Sequence, residues 1–317
     1  MKKPLIVLTG PTAAGKTELS IALAKKLNGA IISADSMQVY KYMNIGSAKI
    51  RPEEMQGVRH YLVDVLDPRE EFHVARFQQM AKEALEEIYR NGQLPIVVGG
   101  TGFYIQALLK DIDFDESSGE LPCRKELEET ARREGGAVLY ERLKQVDPES
   151  AEEIHPNNVK RVIRALEFYQ ETGQPISVHN KEQKEKQPPY TYAYFVLNDD
   201  RARLYERIDR RVDKMMEQGL LEEVRRLKDR GLPRDSVSMQ GLGYKELFAY
   251  LEGEYPLEEA VRIIKRDTRH FAKRQLTWFR RERDVVWIDR QENEQDERKI
   301  LESMLSVLRE KQIIPEE

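Results

Sequence analysis

The sequence predicts a doubly wound α/β sheet with a helical block inserted into it. Three observations carry that reading. Short apolar runs rich in β-branched residues recur at 4–9 (PLIVLT), 30–33 (AIIS) and 94–98 (LPIVV), each bounded by Gly, Pro or Asp. Such unbroken runs suit parallel strands covered on both faces. Amphipathic helical patterns lie between them, so strand and helix alternate. After about residue 111 the strand signal stops, and a helical pattern runs from 122 to about 180.

Each element follows in order. The first helix is expected at 16–27. The second, at 74–91, places Val74, Phe77, Ala81, Ala84, Leu85 and Ile88 on one face. HYLVDVLD (60–67) is a further candidate strand. DIDFDESSGELP (111–122) mixes acids, serines, glycine and proline and reads as a boundary loop. NKEQKEKQPPY (180–190) reads as the return linker. YTYAYFVL (190–197) and VVWI (285–288) are the later strands. Residues 203–228 are expected to form one long helix, with apolar positions from Leu204 to Leu227, and 296–311 a terminal helix. The expected division is 1–115 and 190–317 for the core, with 116–189 as the insertion.

Bulk properties narrow the class. At 317 residues the chain exceeds the size at which one core keeps growing. Charged residues make up 34%, consistent with long solvated helices. No apolar run approaches the roughly 20 residues that span a bilayer, and the apolar N-terminus runs directly into a glycine loop. A cytoplasmic protein with no membrane partner is expected. A single cysteine, Cys123, excludes an internal disulfide and a cysteine zinc cluster. The net charge of -4 opposes nucleic-acid binding as a sum, but a sum conceals local basic faces.

GPTAAGKT (10–17) matches GxxxxGK[ST] between a strand and a helix. Its glycines let successive N–H groups face one anion, and the helix N-terminus adds partial positive charge. Lys16 would neutralise phosphate oxygens, and Thr17 is placed to ligate Mg²⁺. The loop specifies a phosphate and leaves its owner open. Asp35 follows the second strand, on the side where open α/β sheets bind ligands. It reads as a general base, a holder of metal water or a helix cap. Gln38 carries an amide able to pair with adenine edges. The turn VVGGTGFY sets Thr101 close to a ligand, or makes it a cap.

RIIKRDTRHFAKRQLTWFRRER (262–283) holds nine Lys/Arg against two acids, interleaved with Phe271, Trp278 and Phe279. NNVKRVIRALEFY (157–169) adds Lys160, Arg161 and Arg164, and QGLGYKEL (240–247) adds a glycine-bent turn. Each alone reads better as a solvated helix face, with Phe and Trp in the core. Three in one chain favour RNA. The residues alone leave two rivals: a small-molecule kinase, with the insertion as its lid, and an RNA-binding GTPase-like module. The second lacks a guanine-reading NKxD motif.

GPTAAGKT, ISADSMQVYKYMNIGSAK, HYLVDVLDP, VVGGTGFY, HPNNVKRVIRALE, QGLGYKEL and KRQLTWFR, in this order, resemble the bacterial-type tRNA dimethylallyltransferases, or tRNA isopentenyltransferases. The resemblance covers nearly the whole chain. It implies a P-loop NTPase-like parallel-sheet core with a helical insertion domain that contacts tRNA. It implies transfer of a dimethylallyl group from dimethylallyl diphosphate to N6 of adenosine 37, beside the anticodon. Mg²⁺ is the implied cofactor, the tRNA anticodon stem-loop the partner, and a monomer the expected state.

The resemblance also assigns residues. Asp35, Thr101 and Lys16 become catalytic. Gly10, Pro11, Thr12, Ala13, Ala14, Gly15, Lys16 and Thr17, with Arg211, would hold the donor diphosphate, and Thr17 the Mg²⁺. The tRNA would be met by Asp35, Ser36, Met37, Gln38, Thr101 and Arg124. Val159, Lys160, Arg161, Val162 and Ile163 would join them. So would Gln240, Gly241, Leu242, Gly243, Tyr244 and Lys245, and Lys273, Arg274, Gln275, Trp278 and Arg280. With one cysteine, no C-terminal zinc finger of the kind some members carry is expected.

Overall fold

A computed structural model describes residues 2–114 and 122–316. The chain divides into two compact units, Met1–Leu109 with Pro189–Glu317, and Lys110–Pro188. The boundary loop expected at 111–122 lies largely outside the described residues.

The first unit is built on six parallel strands. They are β1 (Lys3–Thr9), β2 (Gly29–Ser33), β3 (His60–Tyr61), β4 (Leu94–Gly99), β5 (Tyr190–Asn198) and β6 (Val285–Asp289), in spatial order β3-β2-β4-β1-β5-β6. Alternate residues of β1 enter opposite cores. Leu5 and Val7 join Phe77, Tyr104 and Phe248 on one face. Ile6 and Leu8 join Leu19, Leu23, Met304 and Leu308 on the other. All four β1 side chains have zero exposure. Full burial of such a side chain is worth about 1.5–3 kcal/mol. The period of two, applied to an unbroken apolar run, thus produces a three-layer sandwich.

One face is covered by α1 (Lys16–Lys26) and, from the far end of the chain, by a terminal helix over Glu297–Glu310. The other is covered by α2 (Val74–Arg90), α3 (Gly102–Leu109) and helices that follow β5. Between α3 and β5 lies the second unit, with α4 (Pro122–Glu134), α5 (Gly136–Val146), α6 (Pro148–Glu153), α7 (Val159–Thr172) and α8 (Ile176–Glu185). Leu127, Leu139, Leu143, Val162 and Leu166 form its own small core.

Two local expectations differ. The strand sought at 60–67 is only His60–Tyr61, because Leu62 (φ 61°) and Asp64 (φ 59°) turn the chain away. The long helix sought at 203–228 is two helices, α9 (Arg201–Glu217) and α10 (Leu220–Asp229). Gly219 sits between them at φ 95°, a left-handed conformation that glycine enters without a Cβ penalty. The remaining helices are α11 (Tyr244–Leu251), α12 (Leu257–Phe279) and α13 (Glu297–Glu310).

Candidate active site

The carboxyl ends of β1, β2 and β4 lie side by side, since β4 pairs with both of the others. Each strand releases a loop there. Thr9 Oγ1 donates to the Gly99 carbonyl at 2.6 Å, which ties the end of β1 to the end of β4. The β4 turn approaches β2 so closely that a Cβ on Gly99 would lie 2.2 Å from the Ala34 oxygen. Only glycine permits that approach. The Thr101 N–H then donates to the same Ala34 oxygen at 3.3 Å, one residue before Asp35.

Lys16, Thr17, Asp35, Gln38 and Gly99 line one pocket of about 60 Å³, with Ser20, Ser33 and His60 on its polar wall and Ile31, Ile50 and Val98 on its apolar one. Lys16 donates to the carbonyls of Gly10 and Pro11, at 3.0 and 2.8 Å. Burial first, then the Arg211 charge, push its ammonium down to about 7, with Asp35 pulling the other way. The Arg211 guanidinium is itself lowered by burial and raised by Asp35. Lys16, Arg211 and Asp35 thus feel one another's charge at the edge of this pocket, an arrangement suited to a polyanion.

Asp35 Oδ1 accepts the backbone N–H groups of Met37 at 2.8 Å and Gln38 at 3.3 Å. The capping geometry is thus present, yet it uses one oxygen. Among the described residues Oδ2 has no hydrogen-bond partner, and it belongs to a side chain that lines the pocket. Capping and proton acceptance are compatible in one carboxylate.

Two props of the phosphate loop, and one aromatic beside the β4 turn, went unread or misread in the sequence. Gln275, in α12, accepts the Thr12 N–H through Oε1 at 2.9 Å and donates through Nε2 to the Gly100 carbonyl at 2.9 Å. It is 6% exposed and its amide is bonded to two loops, so it positions the phosphate loop. Arg290, just past β6, donates to the Ala14 carbonyl at 3.3 Å and to Glu297 at 2.5 Å. The only signal for it was an arginine directly after a strand. Phe103, 42% exposed, meets Trp278 edge to face with centroids 6.2 Å apart. An aromatic next to the GGTG turn was its signal.

Several other residues expected to meet RNA are buried or paired within the protein. Val162 and Ile163 are buried in the core of the helical unit, at 0% and 4% exposure. Val159 packs there too, against Gly136. Their exposed neighbours on α7, Lys160, Arg161 and Arg164, remain accessible. Tyr244 has zero exposure and donates its hydroxyl to Glu223 at 2.8 Å. Its aromatic ring beside a lysine serves packing. Arg124 is held by Glu128 and Glu167. On α12, Lys273 and Arg274 are exposed, and a groove of about 390 Å³ runs past them between Trp278 and Arg281. Gln240 and Arg280 are exposed, and Lys245 half-exposed.

No group of three or more His, Cys, Asp or Glu that could hold a metal ion occurs among the described residues. No described helix is long and apolar enough to cross a membrane.

A strand-loop-helix phosphate cradle at the carboxyl edge of a parallel sheet, with a carboxylate in the same pocket, defines a P-loop NTPase-like core carrying a phosphate-ester site. The family is narrower than that class. The chain belongs to the IPP transferases, whose family model matches residues 38–282. A tRNA dimethylallyltransferase of Lachnoclostridium phytofermentans is 62% identical over 98% of this chain and 99% of its own. One from Acetivibrio thermocellus is 50% identical over 93% of this chain and 94% of its own. The crystal structure of the full-length tRNA isopentenylpyrophosphate transferase from Bacillus halodurans superposes with a TM-score of 0.73 at 43% identity, covering 98% of both chains. A eukaryotic dimethylallyltransferase acting on tRNA superposes with a TM-score of 0.79 at 34% identity, covering 90% of this chain and 74% of its own.

Proposed function

We propose that the pocket joining Lys16, Thr17 and Asp35 is where this chain brings a prenyl diphosphate and a tRNA base together. The chain is an enzyme of its family's reaction: it transfers a dimethylallyl group to N6 of adenosine 37 in tRNA. In our reading the donor is dimethylallyl diphosphate. Its diphosphate lies on the N–H groups of residues 10–17, with Lys16 and Arg211 beside it. The observation that carries this is the presence of Lys16, Thr17 and Asp35 in one pocket, with the Arg211 charge acting on Lys16 and Asp35 acting on both cations.

The chemistry needs two kinds of help. The adenine N6 lone pair is conjugated into the ring and is a weak nucleophile. Asp35 accepts the N6–H bond through its open oxygen and takes the proton as the new C–N bond forms, help worth about 10²–10⁴ in rate. The allylic C–O bond breaks and its electron pair leaves with the diphosphate. Lys16, Arg211 and the loop amides stabilise that growing charge. Thr17 would offer its hydroxyl to Mg²⁺, which binds mostly through substrate phosphates and water and would further neutralise the leaving group. Thr101, beside Asp35, is placed to orient the base. Phe103 and Trp278 give it apolar surface, and exclusion of water protects the allylic carbon.

The exposed residues of α12, with Gln240, Lys245 and the α7 cations, meet the anticodon stem-loop phosphates. The protein acts as a monomer in the cytoplasm. Incubation with dimethylallyl diphosphate and an unmodified tRNA, followed by nucleoside mass analysis, tests the proposal. Prenylated adenosine at position 37 supports it. ATP hydrolysis or phosphate transfer in its place supports the kinase reading.

A further inference from the structure

Glu223, in α10, is 3% exposed and is not among the residues that line the Lys16–Asp35 pocket. Its Oε2 accepts the backbone N–H groups of Asn44 and Ile45, each at 2.9 Å. Its Oε1 accepts those of Ile45 and Gly46 at 3.1 Å, and the Tyr244 hydroxyl at 2.8 Å. Three successive N–H groups facing one anion form a nest, a backbone shape that ordinarily captures a bound anion. Here the anion is a side chain of the protein. Tyr244 reaches it only because residue 46 is glycine: a Cβ there would lie 2.5 Å from the tyrosine Cζ.

The clamped turn continues into Ser47 and Ala48. Their carbonyls accept the Gln38 Nε2 at 3.4 Å, while Ser33 Oγ donates to Gln38 Oε1 at 3.2 Å. Gln38 lines the pocket, and its backbone N–H donates to Asp35 Oδ1 at 3.3 Å. The two 3.4 Å bonds are long, so the amide is aligned yet readily released to a better partner.

We infer that Glu223 is a positioning residue for base recognition: by fixing the 44–48 turn it aims the Gln38 amide at the adenine that enters beside Asp35. This rests on the proposed tRNA reaction. Glu223→Gln keeps the volume and loses one acceptor oxygen, so the nest must open on one side. A displacement of about 1 Å is enough to cost roughly 10²-fold in rate.

The test is a double-mutant cycle of Glu223→Gln and Gln38→Ala, read as single-turnover prenylation of an anticodon stem-loop RNA alongside the donor KM. Each single variant is expected to slow RNA prenylation with an unchanged donor KM. The double variant is expected to be no slower than the slower single one, because both remove the same alignment. Additive losses in an active enzyme, or a donor KM that rises with Glu223→Gln, overturn the positioning role alone. Wild-type protein that leaves the RNA unmodified overturns the reaction beneath it as well. Should Glu223→Gln fail to fold, Tyr244→Phe removes one donor from the same carboxylate, and the cycle with that variant decides by the same criteria.

Discussion

The Oε1 atom of Gln275 accepts the backbone N–H of Thr12 at 2.9 Å, across 263 residues of sequence. The same amide donates to Gly100, so one side chain spaces the phosphate loop from the turn that carries Thr101. Gln275→Leu leaves a part-buried N–H and a part-buried carbonyl without their partner. Thermal unfolding should report a loss of about 1–3 kcal/mol. Steady-state kinetics should show a raised donor KM and a lower kcat together. An RNA affinity that falls while both donor parameters hold would return Gln275 to the RNA surface.

Lys16 gives a pH signature with a definite sign. Burial and the Arg211 charge together lower its pKa from 10.5 to about 7, so at pH 8 it is mostly neutral in the free protein. A diphosphate beside it raises that value, and binding must then take up a proton. Calorimetry at pH 8 in buffers of different ionisation enthalpy should detect this uptake, which Lys16→Met should abolish. Donor affinity should decline as pH rises above 7. The stability effect runs the other way. Between about 7 and 10.5 the unfolded chain binds a proton that the folded chain does not, so stability rises with pH across that window. Below it the burial cost is fully present.

Affinity for tRNA should fall steeply with salt although the chain carries a net charge of -4. Lys273, Arg274 and Arg280 are exposed on or just beyond α12, where phosphates would displace condensed counterions. Filter binding from about 50 to 200 mM salt measures the slope, which removal of one phosphate-contacting cation should reduce by about one. A flat response would remove RNA from the α12 face.

The sequence disclosed what is encoded locally. GPTAAGKT, Asp35 and the GG turn each sit directly after a strand, so strand periodicity placed them at one sheet edge. Three strands in contact then assembled the pocket. Gln275, Arg290 and Glu223 escaped because each acts on backbone more than 170 residues away, which no local pattern records. Tyr244 was misread because an aromatic beside a lysine looks the same in a core and on an RNA surface. Only its zero exposure separates the two. The helix over 203–228 was misjudged because its apolar spacing continues through Gly219, and the left-handed turn there leaves the pattern intact.

The most direct measurement is single-turnover prenyl transfer by Asp35→Asn, made beside its equilibrium affinity for tRNA. Asparagine keeps an oxygen for the Met37 N–H, so the turn that follows should hold its shape. Transfer should slow by about 10²–10⁴ while tRNA and donor bind as in the unaltered protein. Transfer at the unaltered rate would show that the N6 proton goes to some other group, and that the pocket at the end of β2 is not where the reaction takes place.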